Sequence, residues 1–214
     1  MHGAPPFVEN SRHAFLAAIE AGAGIECDVR MTADERLVVF HDGDAMRLCG
    51  GDQVIAESTL ADLGGLRVGG APIPTLDELL ALVADRVPLL VEVKIDRRSW
   101  RYGPALVRAL GHYRGRVGVM SFDPRLSRWL KVNAPTVRRG LVIADRLSPL
   151  RRWVAMALAD PQFVAVDVAA LGKPWVAAAR RRVPVYSWTI RGRDQRMVAA
   201  SFADALIWEA DGRP

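Results

Sequence analysis

Short apolar segments alternate with amphipathic segments along most of this chain, and this alternation is the feature that most limits its fold. Helical periodicity in the amphipathic segments and β-branched residues in the apolar ones predict strand–helix repeats. Such repeats favour a parallel sheet, because parallel strands are joined by crossovers of about a dozen residues or more. The predicted parallel strands are Gly24–Val29, Pro88–Lys94, Val117–Ser121, Arg139–Ile143, Phe163–Val168, Val183–Thr189 and Ala205–Trp208.

One further strand is predicted directly after the first. The segment Ile25–Asp42 contains two apolar runs joined by the polar residues 32–36, and so short a connection predicts an antiparallel hairpin. Side chains two positions apart share a face of a strand, so Glu26 and Asp28 lie side by side. A turn over residues 33–36 sets Asp28 roughly opposite His41. The hairpin is therefore predicted to bring two carboxylates and an imidazole to one point.

The two acids are informative because they interrupt an apolar run. A Glu-x-Asp pair by itself more often marks a solvated strand edge than a metal site. Two adjacent carboxylates in a buried strand both stay ionised only with a cation between them. The later apolar run that ends in Glu92 and Lys94 again places two charges on one face. These patterns favour a functional site over a solvated edge.

The strand count approaches that of a TIM (β/α)8-type barrel, which has eight parallel strands and typically about 250 residues. This chain has 214 residues and seven predicted parallel strands plus the hairpin partner. It opens in a loop followed by a helix from about Arg12. We therefore expect one domain, residues 1–214, with a barrel of this type that lacks its first strand.

Composition excludes several classes of protein. No run of 18 apolar residues occurs, which predicts no transmembrane helix, and no amphipathic membrane-docking helix stands out. The net charge of +5 comes largely from arginines on predicted helices, without the interleaved aromatic residues of a nucleic-acid platform. We therefore expect neither nucleic-acid binding nor stable membrane insertion. The two cysteines, Cys27 and Cys49, fit reduced thiols and a cytoplasmic location.

Seven short motifs together indicate a family. In order and spacing they resemble the glycerophosphodiester phosphodiesterase family over essentially the whole chain. The motifs are Glu9-Asn10-Ser11, Glu26-x-Asp28-Val29 with Thr32-x-Asp34, the segment Val38 to Asp42, the segment Ile73 to Leu76, Glu92-x-Lys94, Ser121-Phe122-Asp123-Pro124 and Trp188-Thr189.

The resemblance implies an activity and roles for individual residues. Members hydrolyse glycerophosphodiesters to glycerol 3-phosphate and an alcohol, and they use a divalent metal such as Ca²⁺ or Mg²⁺. By position, Glu26, Asp28 and Glu92 are the expected metal ligands and His41 the general acid or base. The expected substrate contacts are Lys94, near the phosphate, together with Asn10 and Trp188, although Trp188 equally fits an aromatic core.

The chain departs from the family pattern at its start. The family opens with a strand that carries His-Arg-Gly, whose histidine is the second catalytic imidazole, whereas this chain reads Met1-His2-Gly3. His2 is either a remnant of that histidine or the tail of a longer His-Arg-Gly-Leu-His-Gly motif. Only six residues separate His2 from Glu9, which favours the second alignment and leaves one catalytic histidine.

Two alternatives to a working glycerophosphodiesterase remain open. One is a catalytically silent barrel that binds a phosphoryl ligand or a partner chain, motivated by the missing His-Arg-Gly. The other is a different TIM-barrel phosphodiesterase, such as a phospholipase that cleaves whole lipids. A barrel without its first strand would also expose unpaired strand edges, which predicts weak activity and self-association through the open seam.

Overall fold

The computed structural model describes residues 7–209, and the chain forms two compact units, residues 1–117 and 118–214. In the first unit, β1 and β5 are parallel neighbours, and β2 pairs with the other edge of β1 in antiparallel fashion. A small separate hairpin consists of β3 and β4. The elements of this unit are α1 (Arg12–Glu20), β1 (Ile25–Met31), β2 (Leu37–Val39), α2 (Met46–Cys49), β3 (Arg67–Val68), β4 (Ala71–Pro72), α3 (Leu76–Val83), β5 (Leu89–Val93) and α4 (Ser99–Leu110).

The predicted hairpin of β1 and β2 forms, with a register that differs from the expected one by one residue. Val29 lies opposite Val39, and the Phe40 N–H donates to the Asp28 carbonyl at 2.9 Å. Asp28 therefore lies opposite Phe40 rather than His41, which follows immediately after the paired segment. The offset arises because all of residues 32–36 belong to the turn. The hydrogen bond from the Thr32 N–H to the Arg36 carbonyl closes this turn.

Two helices of this unit begin at side-chain caps. The Ser11 hydroxyl accepts from the Ala14 N–H and starts α1. Thr75 and Glu78 form a reciprocal capping box at the start of α3, where each satisfies a backbone N–H of the other. These caps fix the two helices beside the sheet, and their buried faces complete the packing around β1 and β2.

The second unit is a run of strand–helix repeats. Its five strands are parallel neighbours in the order of the chain, from β6 to β10. The elements are β6 (Val117–Ser121), α5 (Pro124–Asn133), β7 (Arg138–Ile143), α6 (Pro149–Ala159), β8 (Phe163–Asp167), α7 (Pro174–Arg180), β9 (Val185–Ile190), α8 (Arg193–Phe202) and β10 (Ala205–Trp208).

An aromatic pair packs on one side of the strands of this second unit. The Phe163 ring stacks on Tyr186 with centroids 4.9 Å apart and also covers Gly140 of the neighbouring strand β7. A Cβ at position 140 would lie 2.3 Å from that ring, so glycine is required for the close approach. The opposite side packs the inner faces of α6 and α7 against Leu141, Val164 and Val185.

All seven predicted parallel strands and the hairpin strand form within the described residues, most with boundaries within two residues of the expected ones. The first described element is α1, and the residues before Phe7 lie outside the described part, so the absence of a first strand stays a prediction. Each helix among residues 7–209 is too short and too polar to cross a lipid bilayer.

Candidate active site

Three buried carboxylates meet on two adjacent strands of the first unit. Glu26 and Asp28 project from one face of β1, and Glu92 lies in β5 directly beside Asp28 in the parallel register. Each contributes an oxygen to a group whose members all lie within 4.8 Å of one another. All three residues are less than a tenth exposed. This carboxylate triad is the arrangement that the sequence predicts, and it could hold a metal ion.

A single ammonium group lies against the triad. Lys94 Nζ is 2.9 Å from Asp28 Oδ1 and also contacts Glu92 Oε1. Burial acts to lower the pKa of Lys94, but Asp28 and Glu92 outweigh it and raise that pKa, which keeps the group cationic. Three carboxylates and one ammonium leave a net charge of −2 when all are ionised.

Burial raises the pKa of Glu92 to about 7. The Lys94 ammonium opposes this shift, and the Asp28 and Glu26 carboxylates add to it. A carboxylic acid normally ionises near pH 4. The raised pKa of Glu92 therefore reflects burial first and the two neighbouring carboxylates second, and a cation among the three carboxylates would favour the ionised form.

Asn10 fixes the position of Asp28 by two hydrogen bonds. Its Nδ2 donates to Asp28 Oδ2 at 2.9 Å, and its Oδ1 accepts from the Asp28 backbone N–H at 3.1 Å. Asn10 is buried and has a φ of 55°, a left-handed conformation that asparagine adopts more readily than most residues. Both polar ends of its amide therefore bond to Asp28, and the substrate contact predicted for Asn10 stays a prediction.

Two side chains near the start of α4 make hydrogen bonds to backbone groups at the ends of β1 and β5. The buried Tyr102 hydroxyl accepts from the Met31 N–H at 3.3 Å and donates to the Lys94 carbonyl at 3.2 Å. Arg98 donates to the carbonyls of Met31 and Thr32 at 3.0 and 3.2 Å. These bonds satisfy backbone groups just beyond the triad and hold the ends of β1 and β5 in fixed relation.

His41 belongs to a chain of polar contacts that begins beside β2. Its Nδ1 is hydrogen-bonded to Asp42 Oδ1 at 2.7 Å, and Arg47 Nε donates to Asp42 Oδ2 at 2.6 Å. Arg47 also pairs with Glu9. The hydrogen bond from Arg47 lowers the pKa of Asp42 to about 2. Asp42 is therefore ionised at neutral pH and fixes the ring orientation of His41.

The second unit contains the predicted aromatic residue Trp188, in the later part of β9. The Trp188 ring packs edge-on against Phe122, with centroids 5.9 Å apart, and Phe122 follows the last residue of β6. Trp188 Nε1 is buried and makes no hydrogen bond to the described part of the chain. Two of the sequence motifs, Ser121 to Pro124 and Trp188-Thr189, are thus brought together at one edge of this sheet.

The model of the glycerophosphoryl diester phosphodiesterase family matches residues 2–210. This chain belongs to that family. The membership accounts for the order of the motifs, which the resemblance in sequence had indicated.

Curated relatives carry the same family description. A glycerophosphodiester phosphodiesterase from Caldanaerobacter subterraneus subsp. tengcongensis is 34% identical over 148 residues, which cover 63% of this chain and 60% of that protein. One from Bacillus altitudinis is 32% identical over 105 residues, 45% of this chain and 43% of that protein. In the aligned stretches this chain thus spans about half the length of these two relatives.

Solved structures of family proteins share the fold. A phosphodiesterase from Oleispira antarctica, determined in complex with the product sn-glycerol-3-phosphate, has a TM-score of 0.85 at 21% identity, covering 97% of this chain and 90% of that one. A glycerophosphodiester phosphodiesterase from Thermotoga maritima has a TM-score of 0.78 at 26% identity, covering 94% and 88%. The fold class is therefore the α/β TIM-barrel type that the strand count predicted.

The structure brings together some predicted site residues and adds others. Glu26, Asp28, Glu92 and Lys94 form one cluster, and Asn10 supports it. His2 lies outside the described residues. Sequence reasoning missed four supporting residues, because their partners are distant in the chain: Glu9 as a partner of Arg47, Arg47 itself, Arg98 and Tyr102. The only sequence signal for them is polarity next to the motifs.

Proposed function

We propose that this protein hydrolyses glycerophosphodiesters to glycerol 3-phosphate and an alcohol in a metal-dependent reaction. The observation that carries the proposal is the buried triad of Glu26, Asp28 and Glu92, with Lys94 against it, in a chain of this family. The complex of the Oleispira antarctica relative with sn-glycerol-3-phosphate supports the identity of the product.

The donor set fits a hard divalent ion. Carboxylate oxygens are the ligands that Ca²⁺ and Mg²⁺ prefer, whereas softer metals favour imidazole or thiolate. The net charge of −2 on the triad and Lys94 matches one such ion. Glu26, Asp28 and Glu92 would hold it, with Asn10 fixing the carboxylate of Asp28.

The ion would supply Lewis-acid polarisation of a phosphoryl oxygen. Lys94 adds a second positive charge at the same place, so a phosphodiester bound at the triad meets its ammonium group. Fixed charges in a site with little water stabilise the developing negative charge of the transition state more effectively than water does. This arrangement supports the substrate-binding role predicted for Lys94.

His41 moves the proton. Its Nδ1 is engaged with Asp42, so proton transfer to the leaving alcohol, or from the attacking water, runs through Nε2. The bond from water oxygen to phosphorus replaces the bond from phosphorus to the alcohol oxygen, and the alcohol leaves with a proton. Asp42, held by Arg47, keeps the imidazole oriented.

The experiment is a calorimetric titration of metal-free protein with Ca²⁺ and with Mg²⁺, followed by assay of glycerophosphocholine hydrolysis. Wild type should bind one ion and turn over, whereas Glu26→Gln should lose both properties. Glu20→Gln is the matched control, since Glu20 is exposed on α1. Unchanged metal binding in Glu26→Gln would remove the metal assignment.

The same assay separates the alternative functions. A phospholipase would prefer intact phospholipid to glycerophosphocholine. A silent barrel would bind glycerol 3-phosphate in the presence of metal and leave diesters intact. Turnover of glycerophosphocholine that depends on the triad contradicts the silent barrel, and faster turnover of glycerophosphocholine than of intact phospholipid contradicts the phospholipase.

A catalytic role for His2 and a substrate contact for Trp188 also stay proposals. Comparison of His2→Ala with His41→Ala tests whether one histidine or two serve the reaction, since only a catalytic histidine is needed for turnover. Self-association through an open barrel seam, and a cytoplasmic location, also stay proposals. The elution volume of the purified protein at several concentrations tests the first of them.

A further inference from the structure

The helix α6 in the second unit carries large apolar side chains on its solvent side. Leu150 is 71% exposed and Trp153 is 69% exposed, and Val154 and Leu158 on the same stripe are also exposed. These positions follow the spacing of a single helix face. By spacing alone, this apolar stripe would be expected to face the core. In the structure the residues of α6 that pack in the core are instead Ala155, Met156 and Ala159.

A basic groove adjoins this outward stripe. It lies between α6 and α7, has a volume of about 660 Å³ and is lined by Trp153, Met156, Trp175, Arg152, Arg181 and Arg182, among others. The Arg152 guanidinium lies 4.0 Å over the Trp175 ring. Arg152 Nη1 is buried and makes no hydrogen bond to the described part of the chain. A buried cationic donor beside an open groove fits an anionic ligand group.

The charge of this surface is one-sided. Arg151, Arg152, Arg181 and Arg182 form no ion pair within residues 7–209. Acids that contact or flank these helices are already paired, Asp145 with Lys173, Asp160 with Lys131 and Asp204 with Arg180. The surface therefore combines exposed apolar residues with uncompensated positive charge.

We propose that the surface of α6 and α7 docks on an anionic lipid membrane. Leucine, valine and tryptophan at helical spacing insert at the level of the acyl-chain boundary, and the arginines contact lipid phosphates. A second copy of the chain is disfavoured, because a symmetric contact would place the same arginines opposite one another. Nucleic acid is disfavoured because three of the four exposed apolar residues of the stripe, Leu150, Val154 and Leu158, are aliphatic and offer no surface on which bases stack.

This docking is peripheral and differs from membrane insertion, which the short helices do not permit. The sequence predicts no amphipathic membrane-docking helix, and the proposal departs from that prediction because of the outward orientation of the apolar side chains of α6. The proposal concerns a surface of the second unit and does not depend on the hydrolysis proposed for the triad.

The test is co-sedimentation of the full chain with vesicles of phosphatidylcholine, alone and mixed with phosphatidylglycerol. We expect binding to the anionic vesicles only, weakened by added salt. Arg181→Gln with Arg182→Gln should weaken binding by about fivefold for each charge removed. Trp153→Asp should weaken it by at least about tenfold.

Matched controls come from exposed residues elsewhere. Trp100 is 66% exposed on α4, so Trp100→Asp tests loss of an exposed tryptophan, and Arg12→Gln with Arg114→Gln tests loss of two exposed charges. Equal binding to both vesicle types, no binding by wild type, or equal loss in the control variants would overturn the proposal. So would a concentration-dependent dimer that Trp153→Asp abolishes, since the occupant would then be a second copy.

Discussion

Asn10 makes two hydrogen bonds to Asp28, one to its carboxylate at 2.9 Å and one to its backbone N–H at 3.1 Å. The residue before α1 thereby fixes a carboxylate in the middle of β1. Because the φ of Asn10 is positive, Asn10→Gly preserves the backbone while it removes both bonds. We expect the metal affinity to fall by about 10- to 100-fold, as for other residues that orient a ligand.

Calorimetric titration of Asn10→Gly with Ca²⁺ and Mg²⁺ measures this effect. The control is Asn133→Gly, since Asn133 is exposed at the end of α5 and its side chain bonds only within that helix. Wild-type affinity in the Asn10 variant would show that the triad needs no support from α1.

Lys94→Met should make the stability of the folded protein more dependent on bound metal. Removal of the ammonium takes away the cation that contacts Asp28 and Glu92 in the buried triad, which should lower the free energy of unfolding of the metal-free protein by about 3 kcal/mol. Added metal then restores more stability than in wild type. The measurement is the rise in Tm on addition of Ca²⁺ after EDTA treatment, with Lys131→Met, from an exposed pair, as the control. An equal rise in wild type and Lys94→Met contradicts the prediction.

Asp42→Asn should reduce turnover without loss of metal binding. The substitution replaces the carboxylate that is hydrogen-bonded to His41 Nδ1, so the imidazole is less firmly oriented. Loss of effective acid–base catalysis costs about 10²- to 10⁴-fold in kcat. Hydrolysis of glycerophosphocholine measures the loss, calorimetry checks the metal, and the exposed Asp52→Asn is the control. A variant that retains wild-type kcat would separate Asp42 from the reaction.

Asp42 should also produce a distinct acid dependence of stability. Its folded-state pKa of about 2 lies below its ordinary value of 3.8, because Arg47 donates to it. Ionised Asp42 therefore stabilises the folded protein above about pH 4, and this contribution is lost as the pH falls toward 2. The upper limit is about 2 kcal/mol, reduced by solvent around the half-exposed Arg47.

Urea unfolding of wild type and Asp42→Asn at several pH values measures that contribution. The difference in unfolding free energy should be largest near neutral pH and should shrink as the pH approaches 2. Arg47→Met should show the same loss at neutral pH. A difference that is constant over this range would mean that the Asp42 charge does not contribute.

Tyr102→Phe tests the bridge between the ends of β1 and β5. The buried hydroxyl bonds the Met31 N–H and the Lys94 carbonyl, and its loss leaves two backbone groups without their partner. We expect about 1–3 kcal/mol of lost stability by chemical denaturation. Tyr186→Phe, which keeps its ring stacked on Phe163, should cost much less. Equal effects of the two substitutions would argue against the bridge.

The sequence by itself determined the order of strands and helices and showed that Glu26 and Asp28 lie on the same face of a strand. The reason is that a period of two within an apolar run fixes which side chains share a face. Local spacing also accounts for the caps Ser11 and Thr75, whose partners lie three residues away. Local spacing suffices for features of this kind.

Only the tertiary structure decided the features that depend on distant partners. Asn10 with Asp28, Tyr102 with Lys94 and Met31, and Glu9 with Arg47 are contacts that no local pattern encodes. The hairpin register was one residue from the expected one, because the turn geometry rather than the apolar pattern set it. The orientation of α6 was likewise open, since a helix with apolar residues on two faces packs either one inward, and the neighbouring strands determine which face is buried.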